Sequence, residues 1–153
     1  MNEQIIRKNE IETMEGTLKK HFLNNNAIRL DKSIGHLAGL ENLGFHIIEV
    51  QPGYKSTEYH FHHCEDECAY ILTGEATMTI GTRQYEVGPG DFVAYPAGGE
   101  AHTMENTGST VLTCIIVGQH LKYDVVDYPN VEKRLYRNGE VSDLVDLTKP
   151  SRA

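Results

Sequence analysis

No run of about 18 apolar residues occurs in the chain, so nothing in it reads as a segment able to cross a bilayer. The opening residues, MNEQIIRKNEIETMEG, also lack the apolar stretch of a secretion signal. Both absences point to a cytoplasmic protein. Positive charge is scarce: 14 Lys and Arg stand against 22 Asp and Glu, for a formal net charge of −8. With no basic block to follow a phosphate backbone or an anionic headgroup layer, neither nucleic acid nor membrane is an expected partner. Cysteine is sparse and odd in number, at Cys64, Cys68 and Cys114. Without an export signal these read as reduced thiols, not as a disulfide framework. The Cys64 to Cys68 spacing matches neither a zinc ribbon nor a C-x-x-C redox pair.

Helical periodicity is missing as well. Beyond residue 30 no segment sustains the 3.6-residue apolar period of a core helix, which disfavours parallel βαβ architecture. No solenoid-length repeat and no low-complexity segment is present. At 153 residues one domain can bury a core without covalent staples.

What the chain does have is a succession of short β-rich runs punctuated by glycine and proline, the rhythm of a sandwich or barrel. They are Phe45–Gln51, Thr57–His62, Cys68–Leu72, Ala76–Ile80, Arg83–Val87, Phe92–Tyr95, His102–Glu105 and Val111–Val117. Thr73-Gly74 and Gly81-Thr82 are each short enough to close an antiparallel hairpin, which predicts a meander in the middle of the chain. An all-β, closed or nearly closed sheet follows. Residues 1–30 read as an irregular N-terminal arm with at most a short helix, the run Asn24-Asn25-Asn26 marking a loop. The barrel domain is expected over residues 31–121. A C-terminal extension packing on the barrel takes 122–153, in which Val141–Leu147 is either a strand or a helical turn.

His60 and His62 share one face of a strand by the period of two, so both imidazoles point the same way. His63 has the opposite parity and points away. After a short turn Glu67 opens the next strand and can return a carboxylate to the same cavity, with Ala69 and Ile71 continuing inward. His102 follows a turn-rich segment, Pro96–Ala101, that can bring another strand to the same mouth. Three imidazoles and a carboxylate suit one first-row divalent metal, of the set zinc, iron, manganese, nickel and copper. Glu65 and Asp66 read as a solvated acidic turn, or else as acceptors that orient a ligand histidine. His21, His36, His46 and His120 have no partners at ligand spacing. Tyr59, Phe61, Tyr95 and Met104 either line the pocket or pack the barrel.

The stretch Gly53, His60, His62, Glu67, Gly74 resembles the first motif of the cupin superfamily, and Gly90, Pro96, Gly98, His102, Asn106 resembles the second. Each has one residue more than the common spacing, between Gly53 and His60 and between Gly98 and His102, in loop-like segments outside the His-x-His-x4-Glu core. Further similarity, to a branch of single-domain bacterial cupins with no agreed activity, lies in Glu65–Leu72, Gly88–Phe92, Pro96–Gly99 and Asp124–Pro129. The resemblance implies a double-stranded β-helix, a jelly-roll-like barrel, with a metal on His60, His62, Glu67 and His102. It does not supply a reaction.

Two functions compete. One is a metal-dependent enzyme acting on a small organic molecule by oxygenase or isomerase chemistry, with no catalytic base assigned. The other is a non-enzymatic module that senses a sugar or acid metabolite. A barrel whose metal only stabilises it is the plainest alternative. In Cys68–Leu72 both faces are largely apolar, so the outer one needs a cover, from the N-terminal arm or a second subunit; a homodimer is expected.

Overall fold

The computed structural model describes residues 4–151. Thirteen strands and two short helices occur there: α1 Lys8–Thr13, β1 Thr17–His21, β2 Asn24–Lys32, α2 Ile34–Leu37, β3 Leu43–Val50, β4 Phe61–His62, β5 Glu67–Thr73, β6 Ala76–Ile80, β7 Arg83–Val87, β8 Phe92–Tyr95, β9 His102–Glu105, β10 Leu112–Gln119, β11 Tyr123–Tyr128, β12 Lys133–Asn138 and β13 Val141–Asp146. The architecture is the all-β double-stranded β-helix that the motifs imply. One wall is a six-stranded sheet in the order β1-β2-β3-β10-β5-β8. Facing it are a three-stranded sheet, β7-β6-β9, and a four-stranded sheet, β13-β12-β11-β4, joined by a bridge between His60 and His102.

Alternation places Ile48, Val50, Ile71, Leu112 and Cys114 of the large sheet against Ala76, Met78 and Met104 of the small one, and these form the buried core. Cys114 is buried there, and its burial pushes the thiol up to about 12. Among the described residues no helix is long and apolar enough to cross a membrane.

Several parts differ from expectation or settle an open reading: of the run Thr57–His62, only Phe61–His62 is strand, with His60 held by an isolated bridge. Residues 17–32 are a β-hairpin paired onto β3, so the arm is irregular only ahead of it. Its strands are hard to read because β1 buries almost nothing, while Asn24, in the run read as a loop, takes a place in β2: its side-chain oxygen accepts from the Asn26 amide and its amide donates to Glu58. Thr73-Gly74 does not close a hairpin. β5 pairs with β8 and β10, whereas β6 pairs with β7 and β9, so this link turns a corner between sheets. Gly74 makes the corner at φ 85°, with a Cβ there falling 2.7 Å from the Val111 carbonyl oxygen, so the site demands glycine. The Gly81-Thr82 turn does close its hairpin. Finally, Val141–Asp146 is a strand, and the segment after residue 122 adds β11 directly beside β4, next to the histidines.

The outer face of the large sheet carries a row of residues in register, Ile47 opposite Ile115, Ile115 opposite Tyr70 and Tyr70 opposite Phe92. Tyr70 is 43% and Phe92 64% exposed.

Candidate metal centre

His60 and His102 bond to each other through their backbones, N to O at 3.1 and 2.8 Å, which fixes the two imidazoles side by side. β4 and β5 add His62 and Glu67. The Nε2 atoms of His60, His62 and His102 lie 3.6, 3.4 and 3.6 Å from one carboxylate oxygen, Glu67 Oε2. The four side chains that the sequence singles out thus gather around Glu67: His60, His62 and Glu67 offer ligand atoms within 4.8 Å of one another, and His102 reaches the same carboxylate. Gly118 stands opposite Glu67 in the ladder, and its missing side chain leaves the carboxylate its place: a Cβ there would be 3.2 Å from Glu67 Cγ.

Each imidazole is turned by a contact at its other nitrogen. His60 Nδ1 donates to the Glu58 carbonyl at 2.8 Å, and His62 Nδ1 meets Asp124 Oδ2 at 2.5 Å with Glu65 Oε2 at 3.4 Å. His102 Nδ1 faces the Glu100 carbonyl at 3.4 Å, and its ring is stacked on Tyr95 with centroids 3.7 Å apart. Nδ1 engaged outward leaves Nε2 as the nitrogen that faces inward, the one able to offer a lone pair to a metal once it carries no proton. Two imidazoles and a carboxylate in mutual reach, with a third imidazole beside the carboxylate, are a donor set of the kind that suits a first-row divalent ion.

Charge in the site follows from this crowding. Burial alone would raise Glu67, but hydrogen bonds from His102 and His60 and the charge of His62 hold its carboxyl well below the usual range. Burial would lower His62, yet contacts with Glu65, Glu67 and Asp124 outweigh it and raise the imidazole to about 9. His102 is lowered, mainly by burial.

Behind His62 lies a buried charged layer. Asp124 of β11 also accepts from the Cys64 amide, at 3.1 Å. Glu65 is 3% exposed at its side chain and accepts from the Leu121 amide and from Arg137 Nη2 of β12. Glu65 is therefore not solvated but buried beside His62, whereas Asp66 is exposed and receives the Ala97 amide. His63 points away from the site, as parity requires, to Asp127 at 3.2 Å. Tyr95 and Met104 line the cavity, while Phe61 is not on its wall and meets the His63 ring at a tilt, centroids 4.8 Å apart.

The histidines open into a cavity of about 280 Å³. Its far wall holds residues with no ligand spacing to reveal them: His21, Arg29, Asp31 and His46, all from β1, β2 and β3. His46 Nδ1 is 2.8 Å from Asp31 Oδ1. Burial opposes ionisation of Asp31, but hydrogen bonds from His46 and Lys19 prevail and lower it to about 2.

A family model of the cupin domain matches residues 46–118. The chain is 45% identical to a candidate sugar phosphate isomerase of Acidithiobacillus ferrooxidans, over 98% of this chain and 96% of that one, with a TM-score of 0.94. A sugar phosphate isomerase of the cupin superfamily from Silicibacter pomeroyi shares the fold at 21% identity and a TM-score of 0.76, over 82% of this chain and 80% of that one. At 26% identity and a TM-score of 0.52, a predicted oxalate decarboxylase of Thermotoga maritima covers 61% of this chain and 80% of its own. No curated protein matches. The chain belongs to the cupin superfamily.

Proposed function

We propose that the protein is a metal-dependent isomerase of a small sugar-like substrate, its metal held by His60, His62, Glu67 and His102. The observation that carries this reading is the approach of three Nε2 atoms to within 3.6 Å of one Glu67 oxygen. A divalent ion bound there supplies Lewis acidity toward the carbonyl or hydroxyl oxygens of a substrate. The 45% identity to the Acidithiobacillus ferrooxidans protein, itself a candidate sugar phosphate isomerase, supports the reaction class.

Isomerisation of an aldose to a ketose moves one proton from C2 to C1 and another from the C2 hydroxyl to the C1 oxygen. It needs a base beside the substrate. His46 is the residue suited to this: it stands on the cavity wall, and Asp31 engages its Nδ1 and leaves Nε2 free. The test is NMR of the metal-loaded protein with a panel of aldose phosphates in deuterated water. Ketose product with deuterium at the transfer carbon is expected, and His46→Gln should lower the rate at least about 100-fold at unchanged metal content. Tight binding without conversion would favour a metabolite-binding module, and the absence of both binding and conversion would contradict the reading.

The reading includes a homodimer. The row Ile47, Ile115, Tyr70, Phe92 presents apolar side chains on a sheet face that helix α1, with no buried residue, does not cover. Light scattering is expected to give the mass of two chains, and of one chain for Tyr70→Glu/Phe92→Glu. A single-chain mass for the unaltered protein at micromolar concentration would remove the dimer.

A further inference from the structure

The wall opposite the histidines carries more positive charge than the isomerase reading uses. In the ladder Lys19 stands opposite Arg29, and Thr17 opposite Asp31, so Lys19, Arg29 and Asp31 share the inner face of the hairpin. Asp31 is the shared counter-ion. Its Oδ1 is 2.8 Å from His46 and its Oδ2 3.0 Å from Lys19. Arg29 Nε remains 3.5 Å away, outside a good hydrogen bond. One carboxylate therefore faces two permanent cations, and its short contacts go to His46 and Lys19, not to Arg29.

The guanidinium of Arg29 is correspondingly underused. Nη1 donates to the Ser56 carbonyl at 2.7 Å, while Nε is buried with no hydrogen-bond partner among the described residues. Its side chain is 31% exposed and lies on the wall of the cavity that also holds the histidines. The other buried Nε without a partner, on Arg137, is a different case: that guanidinium is already engaged by Glu65 and Asp124 and is not on the cavity wall. Glu58, the remaining buried carboxylate nearby, is held by Asn24. A guanidinium with unused donors on the wall of a confined cavity is matched by an oxyanion, which offers two oxygens to a planar fork.

We propose that Arg29, backed by the charge of Lys19, is the anion-recognition residue of this cavity, and that the substrate is a small molecule bearing one phosphate or carboxylate group. The expectation that the rest of that molecule reaches the histidines rests on the metal-site reading; the anion contact does not. Arg29 sets specificity here and takes no part in proton transfer.

The test follows the Arg29 side-chain resonances by ¹H–¹⁵N NMR while inorganic phosphate, and separately acetate, is added to the full chain. A saturable shift is expected. Stronger binding of phosphate assigns a phosphate ester, and stronger binding of acetate a carboxylate. Arg29→Gln should bind the preferred anion at least about tenfold more weakly with metal content unchanged, and Arg29→Lys should fall between. In His102→Ala, which challenges the metal reading alone, the Arg29 response should persist even where metal is lost. The proposal is overturned if neither anion gives a saturable shift, if Arg29→Gln binds like the unaltered chain, or if the response disappears in His102→Ala. Should Arg29→Gln fail to fold, the resonances of the unaltered chain and the Arg29→Lys titration decide the matter.

Discussion

The His60→Ala/His102→Ala chain is expected to bind divalent metal at least about 10⁴-fold more weakly than the unaltered protein. Structural zinc sites with four ligands hold their ion with about 10–16 kcal/mol, or roughly 3 kcal/mol per ligand, and on that scale two lost imidazoles amount to about 6 kcal/mol. The loss should be selective. His60 and His102 are joined by backbone bonds that alanine keeps, so the strands stay paired while the donors disappear. Competition titration against a chromophoric chelator reads the affinity, and circular dichroism verifies the fold. The same titration has a pH arm. His62 is raised to about 9 in the metal-free chain, and a metal must displace that proton. Affinity should therefore fall as pH is lowered from about 9, by up to about tenfold per pH unit while His62 alone is titrating. A flat profile would mean that His62 is not a ligand.

Asp124→Asn should weaken metal binding by about 10–100-fold although Asp124 touches no metal. Its carboxylate accepts from His62 Nδ1 at 2.5 Å and is fully buried. An amide is a weaker acceptor, and it presents an NH₂ group that allows the imidazole to turn. Loss of the charge also leaves Arg137, 3.7 Å from Asp124, balanced by Glu65 alone. Some loss of stability should accompany the loss of affinity. Asp127→Asn is the control: Asp127 pairs with His63 and Arg134 on the side facing away from the site, so that variant should keep full affinity. Equal affinity for Asp124→Asn and the unaltered protein would show that the buried carboxylate does not orient His62 toward an ion.

Much of the barrel is legible in the sequence, because its short β-rich runs are separated by turn residues such as Gly81, Gly88 and Pro96. β6, β7, β8 and β9 fall on the expected residues. The exceptions have physical causes. Thr73-Gly74 carries the chemistry of a tight turn, but whether such a turn folds a strand back or sends it to the opposite sheet depends on partners far away, here β10 and β8. β1 escapes notice because it is an edge strand with hardly any buried side chain, stabilised by its ladder and by the Lys19–Asp31 pair.

The histidine and glutamate set is legible for a different reason. His60, His62 and Glu67 are close in sequence, where strand parity decides which side chains meet, and His102 lies in a recognisable second motif. Their supports are not local. Asp124 meets His62 across 62 residues and Arg137 meets Glu65 across 72. Only the similarity of Asp124–Pro129 to related cupins pointed to that segment, without naming its role. His46 and Asp31 were passed over because each looks ordinary alone. Antiparallel pairing of β2 with β3, which sets Asp31 opposite Ile48, is what brings the two together.

The most direct test of the account is elemental analysis of the full chain purified from cells grown without added metal, paired with a melting curve before and after chelation. About one equivalent of a single first-row divalent metal is predicted, with a lower melting temperature once it is removed. Metal content below about 0.2 equivalents, together with a melting temperature that neither chelation nor added metal ions change, would contradict a metal centre on His60, His62, Glu67 and His102.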